Sequence, residues 1–93
     1  MNDTAHPAIT VLGRDTCEDT DQSRAHLDAL AIPYVYRNVE FEPEADFLIR
    51  SFNDGKWVTP TIVFGDLSAP LLVIREPSDE ELDAAIAGTS TAS

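Results

Sequence analysis

Apolar positions along this chain follow two different spacings, and the switches between them mark out its elements. Ala8-Ile9-Thr10-Val11-Leu12 reads as a first strand, at about 8–12. A helix is predicted from Cys17 or Glu18 to Leu30. Thr16 with Asp19 three residues later offers it a capping box, and Leu27 with Ala25, Ala29 and Leu30 supplies a modest inward face. Ile32-Pro33 ends that helix, and Tyr34-Val35-Tyr36-Arg37-Asn38-Val39 has the β-branched and aromatic content of a strand. Pro43 then suits the first turn of a second helix, in which Ala45, Leu48, Ile49 and Phe52 recur at i, i+3, i+4 and i+7; Asn53-Asp54-Gly55 stops it. Thr61–Phe64 and Leu71–Ile74 are two further strands joined through a turn at Gly65–Pro70, short enough for an antiparallel hairpin. Ser78 and Glu81 form a capping box for a last helix that turns Leu82, Ala85 and Ile86 inward.

The order is therefore β-α-β-α-β-β-α. Strands joined through a helix pair in parallel with a right-handed crossover, and the hairpin adds an antiparallel part. The expectation is an α/β domain with a mixed four-stranded sheet flanked by three helices. It occupies residues 8–87, with 1–7 and 88–93 as loose polar termini.

The chain's 93 residues suffice for one core and leave no room for a second domain. Seventeen acidic residues against six basic ones give a formal charge of −11, which repels phosphate backbones and anionic lipid surfaces, so neither nucleic acid nor membrane is an expected partner. The first residues carry no basic, apolar leader pattern, and one unpaired cysteine suits a reducing compartment; the expectation is a cytoplasmic protein. His6, His26 and the single cysteine have no metal-ligand spacing, and no bound metal or cofactor is expected.

That cysteine, Cys17, carries the chemistry. It falls where the first strand turns through Gly13-Arg14-Asp15-Thr16 into a helix, so that the unpaired N–H groups and the positive end of the helix dipole favour thiolate over thiol. The residue three positions on is Thr20, so no disulfide can close within the chain and any redox cycle needs an external thiol. Thr20's hydroxyl, one turn away, can donate to the thiolate, and Arg14 can attract the carboxylate of a small thiol. Trp57 either flanks the thiol pocket or packs as a partly buried structural aromatic.

Ile9–Cys17, Val58-Thr59-Pro60-Thr61-Ile62-Val63-Phe64 and Glu76-Pro77-Ser78-Asp79-Glu80-Glu81-Leu82, together with the element order, resemble the glutaredoxin family of the thioredoxin fold, and most of all its small mycoredoxin-type members. The resemblance spans roughly residues 8–87. It implies that Arg14 is the basic residue three places before the nucleophile, that Pro60 is cis, and that the backbone of Thr59 pairs with a bound thiol as an added strand. It further implies that Ser78 and Asp79, at a helix start, receive a terminal carboxylate. Cys17-Glu18-Asp19-Thr20 stands where the family has Cys-Pro-Tyr-Cys or Cys-Gly-Phe-Ser, which leaves only a monothiol route. The implied activity is reduction of mixed disulfides between proteins and a small thiol, with mycothiol or glutathione as co-substrate and oxidised or thiolated proteins as partners, by a monomer.

Two other readings stand beside it: a redox-inactive module that binds a protein or peptide through the groove at Pro60, and a dimer bridged by an iron–sulfur cluster held on Cys17. The flank of the cysteine is also unusually acidic, with Asp15, Glu18, Asp19 and Asp21. At roughly 7 Å and an effective dielectric of about 40, each such carboxylate costs a thiolate about 1 kcal/mol, as much as the helix dipole supplies. On that ground the thiol is expected near its free pKa of about 8.5, and sluggish unless Asp19 is turned away by a capping role.

Overall fold

The computed structural model describes residues 4–92. Its elements in chain order are β1 (Thr4–Ala5), β2 (Ile9–Gly13), α1 (Glu18–Ala29), β3 (Val35–Asn38), α2 (Pro43–Phe52), β4 (Thr61–Asp66), β5 (Ala69–Arg75), α3 (Asp79–Thr89) and β6 (Thr91–Ala92). Strands β2 to β5 form one sheet in the order β3-β2-β4-β5. β2 runs parallel to β3 and antiparallel to β4, which forms a hairpin with β5 that is bulged between Phe64 and Gly65. This is a thioredoxin-like α/β fold with a mixed four-stranded sheet and three helices. No helix among the described residues is long and apolar enough to cross a membrane.

β2 and β4 are central and buried on both faces, which explains why their sequences are nearly unbroken apolar runs. Alternate side chains point to opposite faces, so the strands split the core in two. Ile9, Val11, Ile62 and Phe64 meet Leu27 of α1 and Leu82, Ala85 and Ile86 of α3. Leu12 and Val63 meet Ala45 and Ile49 of α2, with Val39.

Three details differ from the sequence expectation. First, α1 starts at Glu18 with Cys17 itself as N-cap, in an extended backbone conformation and without a side-chain capping bond, so Thr16 and Asp19 form no capping box. Second, the buried face of α1 is Thr20, Ser23 and Leu27. Ala25 and Ala29 lie two residues either side of Leu27, about 200° around the helix from it and therefore in solvent, and Leu30 is half exposed at the C-cap. Third, the ends expected to be loose meet: α3 runs on to Thr89, and Thr4–Ala5 pairs antiparallel with Thr91–Ala92.

The second and third helices follow their predicted signals. Pro43 occupies the first turn of α2. At its end the Asn53 amide donates to the Ile49 carbonyl (2.7 Å) and to Thr61 Oγ1 (3.1 Å), and Arg75 Nε donates to Asn53 Oδ1 (2.6 Å), which ties the helix end to β4 and β5. At α3 the capping box is complete: Glu81 N donates to Ser78 Oγ (3.1 Å), and Ser78 N donates to Glu81 Oε1 (2.9 Å).

Candidate active site around Cys17

The site begins where β2 runs out at Gly13. The loop Arg14–Thr16 turns back on itself, with Cys17 N donating to the Arg14 carbonyl (3.3 Å), and the Cys17 carbonyl accepts the first helical bond of α1 from Asp21 N (3.1 Å). Gly13 is required by contact rather than by backbone angle. A Cβ there would lie 2.6 Å from Thr20 Cγ2 and 2.7 Å from its Oγ1, so only glycine lets α1 approach the strand this closely. Among the described residues the helix start presents Glu18, Asp19 and Asp21 to solvent.

Across from the helix start lies the turn into β4. The Thr59–Pro60 peptide bond is cis and Pro60 is fully buried. Thr61 Oγ1 donates to the Val58 carbonyl (2.6 Å), closing the turn from below, and Glu76 N donates to the Pro60 carbonyl (2.9 Å), which docks the segment before α3 upon it. Thr59 faces the half-buried sulfur. Its hydroxyl donates to Cys17 Sγ at 3.3 Å, and the thiol donates to the Thr59 carbonyl at 3.4 Å.

These neighbours decide the ionisation of the thiol. Partial burial pushes its pKa up, but the Thr20 hydroxyl, the Thr59 hydroxyl and the backbone N–H groups of Thr20 and Asp19 together outweigh burial and hold it below the ordinary thiol value. The direction differs from the expectation of an unperturbed thiol pKa. No carboxylate is among the largest influences on the sulfur. The charges expected to oppose the dipole are in solvent or, for Asp15, bonded elsewhere: Tyr36 Oη donates to Asp15 Oδ1 at 2.8 Å.

Cys17, Thr20, Thr59 and Pro60 are thus brought together. Thr20 is completely buried and its Oγ1 makes no fully formed hydrogen bond, so its hydroxyl favours the thiolate by proximity, as a dipole still available to a negative sulfur. Arg14 is adjacent through its backbone. Its Nε is buried without a partner, and among the described residues its guanidinium makes no ion pair and no bond to Cys17. Ser78 and Asp79 are turned to other work. Ser78 is committed to the capping box, while Asp79 Oδ1 accepts from Gln22 Nε2 (3.3 Å) and its other oxygen lies 3.6 Å from His26 Nδ1. Asp79 thereby joins α3 to α1, and among the described residues neither Ser78 nor Asp79 makes a hydrogen bond to the sulfur.

Trp57 closes one wall of a cleft of about 310 Å³ that is otherwise lined by Val39, Glu40, Phe41, Glu42, Pro43 and Asp46. Trp57 Nε1 donates to Asp46 Oδ1 (2.7 Å), and the Arg50 guanidinium lies 5.5 Å from the indole centroid. Cys17, Thr59 and Pro60 are not among its lining residues; the cleft is linked to their segments through the chain, with Trp57 two residues before Thr59 and Val39 N donating to the Gly13 carbonyl (2.9 Å).

The roles of Gly13, Asp15, Arg24 and Tyr36 escape a sequence reading. Gly13 carried a usable signal, a glycine at a strand end just before a helix; the Tyr36–Asp15 pairing joins positions 21 apart and had none. No known protein-family model matches the chain, and neither does any curated protein.

Proposed function

We propose that the protein is a glutaredoxin-like thiol–disulfide oxidoreductase of the monothiol type, acting as a cytoplasmic monomer on mixed disulfides between proteins and a small thiol. The Cys17 thiolate attacks the small thiol's sulfur in the mixed disulfide; the protein's sulfur leaves as thiolate and takes up a proton. A new disulfide now joins Cys17 to the small thiol. A second small thiol, mycothiol or glutathione, attacks as thiolate and leaves as the oxidised dimer, and Cys17 is returned with two electrons delivered to the substrate protein. Thr20 and Thr59 stabilise the sulfur as attacking and as leaving group, and the Thr59 backbone pairs with the bound thiol beside Pro60. Arg14, Ser78 and Asp79 are proposed contacts for its carboxylates; for Ser78 and Asp79 this requires release of the contacts they make to α1 and within α3.

The observation that supports this reading is the juxtaposition of the half-buried Cys17 sulfur, its pKa lowered by the neighbouring hydroxyls and N–H groups, with the Thr59 hydroxyl at 3.3 Å, beside Pro60. Incubation of the protein with oxidised mycothiol or glutathione, followed by mass spectrometry, tests it. The expected product is one small-thiol adduct on Cys17, removed by the reduced thiol and missing in Cys17→Ser. No adduct with either disulfide would leave the groove beside Pro60 as a docking site on a redox-inactive module.

A further inference from the structure

Asp15 lies two residues before Cys17, in the loop that leads from β2 into α1. Its carboxylate nevertheless belongs to another part of the molecule. Tyr36 is on β3, paired with Val11 across the parallel ladder, and packs with its ring against the α1 side of the core. From there its hydroxyl reaches Asp15 Oδ1 at 2.8 Å. The outer face of the ring is covered by Arg24 of α1, whose guanidinium carbon lies 3.8 Å from the ring centroid and whose Nε donates to Tyr34 Oη at 3.4 Å. Burial first, and the bond to Asp15 second, push the Tyr36 phenol well up, so it remains a donor throughout the range in which a thiol titrates.

The charged groups on the elements that meet at Cys17 are Arg14 and Asp15 from the loop, Glu18, Asp19 and Asp21 from the start of α1, and Glu76 from the segment docked on Pro60; the Thr59–Pro60 turn brings a hydroxyl and a carbonyl. Of these carboxylates, among the described residues, Asp15 alone is held by a hydrogen bond to another element. We propose that Tyr36 and Arg24 are positioning residues that hold the Asp15 carboxylate against β3, away from Cys17, and so keep a reactive thiolate within an acidic loop. The proposal deepens the redox reading, but it concerns the ionisation of the sulfur and needs no disulfide substrate.

The rate of Cys17 alkylation by iodoacetamide, followed against pH at low ionic strength, tests it. Tyr36→Phe keeps the ring under Arg24 and removes the donor. The freed carboxylate is expected to move the inflection up by about 0.5–1 pH unit, and by less in ~0.5 M salt. In an Asp15→Asn background the same substitution is expected to leave the inflection within about 0.2 unit, since no charge is then released. Asp15→Asn alone, an exposed loop substitution that serves even if Tyr36→Phe does not fold, is expected to leave it within about 0.3 unit of the parent. Equal shifts in both backgrounds, no shift from Tyr36→Phe, or a fall of more than about 0.5 unit from Asp15→Asn alone would overturn the proposal. Failure of the small-thiol adduct experiment, by contrast, would leave these three inflections unchanged.

Discussion

Cys17 and Thr59 exchange hydrogen bonds in both directions: the thiol donates to the Thr59 carbonyl at 3.4 Å and receives the Thr59 hydroxyl at 3.3 Å. Ionisation breaks this symmetry. A thiolate has no proton to give, so the carbonyl is released, while the hydroxyl bond becomes charge-assisted and stronger. The same event that makes the sulfur nucleophilic therefore frees a backbone acceptor beside Pro60.

Thr59→Val removes the hydroxyl and keeps the shape and the carbonyl. Losing a hydrogen bond to a charged group is expected to raise the thiol's inflection by roughly 0.5–1.5 units and slow alkylation at pH 7 by up to about three- to thirtyfold. A pH–rate profile for iodoacetamide checks this. An unchanged profile would mean that the bond is not made to the ionised sulfur.

The lowered pKa has a consequence for stability, with a definite sign. In the unfolded chain the thiol titrates at its ordinary value, and in the folded protein below it, held down by the Thr20 and Thr59 hydroxyls and the backbone N–H groups at the start of α1. Between the two values the unfolded chain holds the extra proton, so stability rises with pH across this window. The contribution is complete above the unfolded pKa and is lost as pH falls through the folded one. The difference in unfolding free energy between the parent and Cys17→Ser is accordingly expected to move in the parent's favour between pH 6 and 9. Urea titrations at three or four pH values measure it, and a flat difference would contradict the lowered pKa.

Two capping motifs with the same sequence logic had different fates, and they separate what was legible in the chain from what was not. Ser78-x-x-Glu81 forms its box, whereas Thr16-x-x-Asp19 does not, because the backbone stays extended for one residue more and Cys17 takes the N-cap. Strand periodicity, the proline at α2 and the Ser78 box depend on local chemistry, and these were readable. The inner face of α1 was not. Its buried positions are Thr20 and Ser23 with a single leucine, a choice set by the close contact with Gly13 and by the sulfur rather than by hydrophobicity. Of the site, Cys17, Thr59 and Pro60 could be found by position in the element order, but the bonds that decide the thiol's ionisation cross between elements.

The capping contrast is itself a prediction. Ser78→Ala is expected to cost about 1 kcal/mol, while Thr16→Ala, in an exposed loop without a cap bond, is expected to lie within about 0.5 kcal/mol of the parent. Chemical denaturation of the two variants decides it. Equal losses would place Thr16 back in a capping role. Cys17 alkylation should be unchanged in Ser78→Ala, since the box touches α3 alone.

Thr20 sets stability against reactivity. Its hydroxyl is fully buried and lacks a formed hydrogen bond, a polar group taken from water without full compensation, yet it is the foremost of the groups that favour the thiolate. Thr20→Val deletes the hydroxyl at nearly constant shape. The fold is expected to be unchanged in stability or firmer by up to about 1–2 kcal/mol, because an unsatisfied group is removed, while the thiol inflection rises by about 0.5–1.5 units and alkylation at pH 7 slows. Urea unfolding and alkylation read the two effects separately on one variant. A loss of more than about 1 kcal/mol would show that the hydroxyl is satisfied in solution, by a water between Thr20 and Ser23 for instance, and that the site carries a hydrated polar seam rather than a dry one.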